Sequence, residues 1–253
     1  MSKLIPMVIA LIVLECICIN ASGQRKKNSE QLYRVSTEVV KSDKIDQYIQ
    51  ARTKLNSVLL ETGFPHPFIL WKSNDTIYHI WYPVKDLNEL NRIEKDWEAF
   101  AERHGTDVLD PVHECVETRM DKVMLAYLQL AYEPDGLPSE EHETNFCHMK
   151  QLYLKQGSEQ AVKAHIHQII ELFQSKGVER NFYCGEGLLG MEIPVLIYWS
   201  FAKDEQNYLQ QEANIIELMG DEYQEIHQEL SHHVRKTKSL DFHYVNGLSY
   251  NIY

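Results

Sequence analysis

Over 32–40 the chain alternates, with Tyr33, Val35, Thr37 and Val39 on one side and Arg34, Ser36 and Glu38 on the other. A period of two predicts a strand. The period then lengthens: Ile45, Tyr48, Ile49, Leu55, Val58 and Leu59 recur at helical spacing, behind Ser42 or Asp43 as a cap. Gly63 supplies a left-handed stop. Short strands are predicted at 68–71 and 76–82, with the polar turn Ser73-Asn74-Asp75 between them. Asp86 opens a helix striped by Leu87, Leu90, Ile93, Trp97 and Phe100, and Gly105 closes it. Asp110-Pro111 starts a short helix with proline in its first turn. A strand apolar on both faces follows over 123–132.

The Pro- and Glu-rich stretch 134–146 predicts a linker. The order then recurs: a strand over 148–154, a helix over 158–176 stopped by Gly177, strands over 181–189 and 195–201, helices over 204–219 and 222–235, and a last strand over 240–245. Trp81-x-x-x-Lys85-Asp86 is echoed by Trp199-x-x-x-Lys203-Asp204, 118 positions later, while Gly63 and Gly177 are 114 apart. A longer hairpin in the second half absorbs the difference. The common order predicts an internal duplication, 31–133 and 147–253. The Trp-x-x-x-Lys-Asp stretch is best explained as a strand-to-helix junction, Trp packing the sheet and Asp capping the helix.

Composition adds limits. A chain of 253 residues can bury a sizeable core, and 44% hydrophobic with 25% charged residues is ordinary for a globular protein. A net charge of −12 argues against nucleic acid or an anionic membrane as the main partner. Residues 1–23 have the pattern of a signal peptide: Lys3, an apolar run interrupted by Glu15, and Ala21-Ser22-Gly23 as a cleavage site. The run is short for a membrane anchor, the competing explanation. The expectation is an exported protein, periplasmic or secreted, with a flexible leader over 24–30 and no stable span after cleavage. Outside that segment lie Cys115, Cys147 and Cys184, an odd number without a Cys-x-x-Cys pair, which predicts small buried side chains more readily than a disulfide framework or zinc cage.

Each half reads β-α-β-β-α-β, the ferredoxin-like order. Sheets apolar on both faces need a partner for the second face, and a second copy supplies it. Here the chain resembles the dimeric α/β-barrel superfamily, in a single-chain form where two fused halves form an intramolecular pseudo-dimer and the protein is a monomer. The resemblance covers 31–253 and rests on element order and the duplicated Trp-x-x-x-Lys-Asp. It implies an α+β fold whose antiparallel sheets pair into a barrel. The superfamily includes monooxygenases, haem-degrading and haem-binding proteins, lactone isomerases and binding proteins, so the fold alone selects no function.

With one face of each sheet on helices and the other lining a cavity, the expected ligand-binding set is Arg34, Ser36 and Glu38 from the first strand, His148 and Lys150 at the equivalent places, Tyr127 and Gln129, and Tyr244 or His243 from the closing strands. An ion pair between Arg34 and Glu38 is the structural alternative. His79 and Trp81 share a side of their strand, and resemblance to haem-degrading monooxygenases gives them, with Trp199, a candidate role; core packing is the competing explanation for the tryptophans. Such enzymes also need an Asn at the cavity and a haem-ligating His on a helix, which the sequence does not place. Ile197 replaces His79 in the second half. No metal site is expected: His113-Glu114 lacks its second His, and the Glu229/His232 pair lacks further carboxylates. The expected function is binding of a small, partly apolar ligand between the sheets without an assigned cofactor or catalytic set. The alternative is a monooxygenase-like or haem-handling enzyme, and a module with a filled core is the third option.

Overall fold

The computed structural model describes residues 30–134 and 144–250. The expected signal peptide and most of the leader and linker lie outside the described residues. The elements are β1 (Glu30–Val40), α1 (Ile45–Thr62), β2 (Ile69–Asn74), β3 (Ile77–Val84), α2 (Leu87–His104), α3 (Asp110–His113), β4 (Val116–Tyr132), β5 (Phe146–Leu154), α4 (Glu159–Lys176), β6 (Phe182–Leu189), β7 (Val195–Ala202), α5 (Glu205–Ser231) and β8 (Val234–Tyr244).

Local chemistry explains most boundaries. Asp86 accepts from the backbone N–H groups of Asn88 (2.8 Å) and Glu89 (3.0 Å), and Glu89 accepts from the Lys85 N–H in return (2.5 Å), so α2 begins in a reciprocal cap. Asp204 caps α5 in the same way through Asn207 (2.7 Å). Gly63 and Gly177 adopt the left-handed conformation that ends α1 and α4. The expected cap at Ser42 or Asp43 does not form: 42–44 is a single 3-10 turn, and α1 starts without a side-chain cap. The two helices expected over 204–235 form one element broken at Gly220, whose φ of 60° and ψ of −146° redirect the chain. Strands β4 and β8 begin earlier than periodicity suggests, at Val116 and Val234, because their first residues are polar on both faces yet pair fully with β1 and β5.

The eight strands close into an antiparallel barrel in the order β1-β3-β2-β8-β5-β7-β6-β4. Closure occurs at two seams, β2–β8 and β4–β6. The β4–β6 seam depends on Gly185, whose absent side chain leaves room for the Leu125 carbonyl. The β2–β8 seam is short and is extended past β8, where Tyr250 pairs with Phe68 and its hydroxyl donates to the carbonyls of Phe64 (2.7 Å) and Leu59 (3.1 Å).

Three apolar layers result. One fills the barrel and draws on strands all round it, including Val35, Trp71, Trp81, Met149, Trp199 and Phe242. The other two lie outside, between sheet and helices: one under α1 and α2, the other under α4 and α5. Trp81 and Trp199 stand on strands on opposite sides of the barrel and meet edge to face at its centre, 6.3 Å apart. Cys115, Cys147 and Cys184 are free and buried, one in each layer. Among the described residues no helix is long and apolar enough to cross a membrane.

Candidate functional site

The first-strand set faces the opposite way from expectation. Val35 points into the barrel, so Arg34, Ser36 and Glu38 point outward beneath the helices. Glu38 accepts from Tyr48 (2.7 Å) and is gripped by Arg52 (2.5 Å), both on α1, and all three are buried. Burial alone would raise the Glu38 carboxyl, but Arg52 and the Tyr48 hydroxyl hold it below the usual range. Arg34 and Glu38 do not pair with each other. Arg34 reaches Glu94 on α2 and Asp121 on β4 (3.2 Å), and Ser36 donates to Asp121 (2.6 Å) and accepts from Arg119 (2.8 Å). The charged groups of this half of the helix–sheet interface are all paired, and Asn56 Oδ1 on α1 is its one buried side-chain atom without a partner among the described residues.

The second half differs at the matching places. Cys147 and Met149 face the barrel, so His148 and Lys150 lie outward under α5. His148 Nδ1 bonds Asp241 (2.6 Å), and its ring stacks on Tyr208, 4.7 Å away. Tyr198 of β7 lies under the Lys150 ammonium (5.7 Å). Arg180, before β6, pairs with Glu212 and sits 5.3 Å from the Tyr208 ring centre. Past the Gly220 break, Tyr223 packs edge-on against His227 at 4.3 Å. Burial opposes ionisation of Glu212, yet Arg180, with Lys150 and His148, holds its carboxyl below the usual range. Burial and then Lys150 push the His227 imidazole down. Burial pushes the Tyr198, Tyr208 and Tyr223 hydroxyls up, so all three stay protonated.

Four buried polar atoms of this interface have no hydrogen-bond partner: His148 Nε2, Arg180 Nε, Gln211 Oε1 and His227 Nε2. Buried polar atoms are nearly always paired, because each loses its water on burial. Two of these atoms are on α5, one is on the loop before β6, and the His148 imidazole nitrogen is on the sheet. A neutral His148 that donates Nδ1–H to Asp241 would present its Nε2 lone pair to the interface, the arrangement of an oriented general base.

The other predicted residues scatter. His79, Trp81, Trp199 and Tyr244 line the barrel, as their alternation implies. His79 is engaged at both nitrogens, by Thr37 (3.1 Å) and Ser73 (2.9 Å), and burial, with Lys122 and Lys238, lowers its pKa to about 4. Tyr127 lies outside the barrel, where its hydroxyl accepts from Lys163 on α4 (2.9 Å). Gln129 is exposed, as is His243, which edges Phe146. The structure therefore brings His148 and Lys150 together with Arg180, Tyr198, Tyr208, Gln211, Glu212 and His227, which sequence reasoning passed over. One signal was present: Tyr208, Glu212 and Ile215 share a helical stripe that includes a carboxylate, and a charge on a buried stripe requires a partner.

The interface does not fit a haem. The His148 and His227 Nε2 atoms have the chemistry of an axial ligand. However, Tyr208 lies flat on His148, Tyr223 closes on His227, and the Arg180–Glu212 pair occupies the space between. Side chains, not a slot for a macrocycle, separate sheet from helix. Among the described residues no group of three or more metal-binding side chains converges.

No family model and no curated protein matches the sequence. Solved structures do match. An anthrone oxidase-like protein superposes with a TM-score of 0.56 at 14% identity, over 85% of this chain and 92% of its own. A candidate monooxygenase from Lactobacillus acidophilus NCFM gives 0.55 at 7% identity, over 84% and 92%. Chlorite dismutase from Candidatus Nitrospira defluvii, in complex with imidazole, gives 0.53 at 9% identity, over 88% and 93%. These neighbours belong to the dimeric α/β-barrel superfamily, and this chain has their fold.

Proposed function

We propose that the protein is a monooxygenase-like enzyme that binds a small, partly apolar phenol between β5, β7 and α5. The four unpartnered buried atoms carry this reading, since a bound polar molecule would restore the hydrogen bonds that folding removes. The aromatic walls, Tyr198, Tyr208 and Tyr223, suit a flat ring. His148 Nε2 takes the phenolic proton, Asp241 orients the imidazole, and Lys150 and Arg180 stabilise the phenolate. An electron-rich phenolate can itself supply the four electrons that reduce dioxygen, one oxygen atom entering the ring as a quinone carbonyl and the other leaving as water, so a monooxygenase-like role needs no external reductant. The fold neighbours described as a monooxygenase and as anthrone oxidase-like support this class over simple ligand storage.

The wider layout belongs to the same proposal. Two ferredoxin-like halves, 31–133 and 147–253, form an intramolecular pseudo-dimer in a monomeric, exported protein. The strand runs β4-β1-β3-β2 and β8-β5-β7-β6, each contiguous in the barrel, support this. So do the equivalent caps Asp86 and Asp204. One half keeps an ion-paired structural network, and the other carries the site.

The test is an absorbance titration with 4-nitrophenol in mildly acidic buffer, where the free phenol is largely neutral. The expected result is growth of the phenolate band on binding, lost in His148→Gln and weakened in Asp241→Asn. A phenol that binds without ionising, or binds equally well to His148→Gln, would overturn the assignment.

A further inference from the structure

The barrel has a second polar feature, unconnected with the helix–sheet interface. Met124 and Ala126 of β4 face the interior, so Lys122, two residues earlier on the same regular strand, faces inward too. Phe242 and Leu240 of β8 set the same direction for Lys238 and Lys236. Strands β4 and β8 stand on opposite sides of the closed barrel. Their N-terminal ends lie at the same end of it, where β4 runs beside the end of β6 and β8 beside the end of β5. Lys122 and Lys238 therefore point at each other across one barrel mouth.

No carboxylate among the described residues comes within ion-pair distance of Lys122, Lys236 or Lys238. Lys236 lies over the Tyr153 ring (4.8 Å), and Glu192 near this rim is held by Arg235. Lys122 is half-buried and Lys238 is exposed at the rim, so two like charges face the same mouth without a protein counter-charge, a repulsion that solvent at the rim screens only in part. Burial and Lys238 together lower the Lys122 pKa, and both lysines add to the effect of burial in lowering that of His79.

A second observation points into the same space. Val35 stands opposite both Trp81 and Lys122, so the indole and the ammonium flank one rung of the inner wall. Trp81 is 6% exposed, and its Nε1–H is buried without an acceptor. Below this level the barrel is closed by Trp81, Trp199 and Phe242. A group bound at the mouth would supply the acceptor that this N–H lacks.

We propose that this mouth binds a small oxyanion, a phosphate or a carboxylate head group, between Lys122 and Lys238, with the Trp81 indole N–H as its neutral donor. All three groups are donors, and two are cations, so the site discriminates by charge and by acceptor geometry. The site is separate from the phenol site proposed above and stands whether or not that one does.

The experiment uses the full folded chain and follows the four tryptophan indole N–H resonances during titration with inorganic phosphate, then acetate, with sodium chloride at matched ionic strength as control. Trp81→Phe assigns the signal. The expected result is a saturable downfield shift of the Trp81 resonance with phosphate or acetate, whichever binds better identifying the head group, and little response to chloride. Lys122→Met and Lys238→Met should each weaken binding at least tenfold, and Lys54→Met, an exposed control on α1, should not. Melting supplies the second measurement: Lys122→Met should melt higher than the parent in anion-poor buffer, and should lose the rise in melting temperature that phosphate gives the parent. A Trp81 resonance that ignores both anions, an equal response to chloride, or a parent-like phosphate effect in both lysine variants would overturn the proposal.

Discussion

His79 provides a stringent check on the barrel interior. It is 7% exposed, its two ring nitrogens are occupied by Thr37 and Ser73, and Phe242 closes on it edge-to-face at 4.9 Å. Adding a proton would place a charge in this setting beside Lys122 and Lys238. Burial first, then the lysines, lower its pKa from 6.5 to about 4. The unfolded chain takes up the proton near the ordinary value, so between those two limits it binds more protons than the folded chain. Stability therefore falls as pH is lowered through this window, is fully retained above it, and changes no further below it. The separation of pKa values corresponds to a loss of ~3 kcal/mol. The assay is urea unfolding of the parent and His79→Gln across the window, comparing the two at each pH so that other titrating groups cancel. The parent should lose its margin over the variant by about that amount between neutral and acidic buffer. A difference that does not vary with pH, or a His79 ring that titrates in NMR at an ordinary value, would show that burial does not hold this ring neutral.

Three further predictions address the scaffold. Glu38→Gln strands the Arg52 charge in the α1–sheet interface and should cost ~3–5 kcal/mol by denaturant unfolding, whereas the double change Glu38→Leu/Arg52→Met should cost far less. Asp86→Ala removes the α2 cap and should lower stability by about 1 kcal/mol, and an unchanged melting midpoint would count against the cap. Gly185→Ala drives a methyl group into the Leu125 carbonyl at the β4–β6 seam and should cost ~1–3 kcal/mol, with faster amide exchange in β4 and β6; unchanged exchange there would show that the seam can relax.

Element order and the division of each strand's residues between two faces were legible because alternation and helical stripes are short-range signals. The side of each strand that meets the helices was not. In β1, Arg34, Ser36 and Glu38 have the polarity of a ligand-facing or solvent-facing edge, and only the folded chain brings Arg52, Glu94, Arg119 and Asp121 to satisfy them. A clue lay in α1, where Arg52 follows Tyr48 by one turn on the stripe that continues to Leu55 and Leu59; an arginine there implies a buried carboxylate opposite. The candidate site was half legible. His148 and Lys150 were found by comparing the halves, but Arg180 belongs to a loop and His227 follows the Gly220 break, so neither shares a period with the strand it faces. The duplicated tryptophans were legible as sheet residues, while their meeting across the barrel depends on closure, which no local pattern encodes.

The proposed site lies outside the barrel, between β5, β7 and α5. The most direct measurement is a crystal structure of the protein grown with 4-bromophenol, with the bromine located by anomalous scattering. A single strong bromine position is expected among His148, Tyr198, Tyr208 and His227, with the phenolic oxygen on His148 Nε2. Bromine found inside the barrel beside Trp81 and Trp199, or a helix–sheet interface that stays closed with its four polar atoms bridged by ordered water, would contradict it.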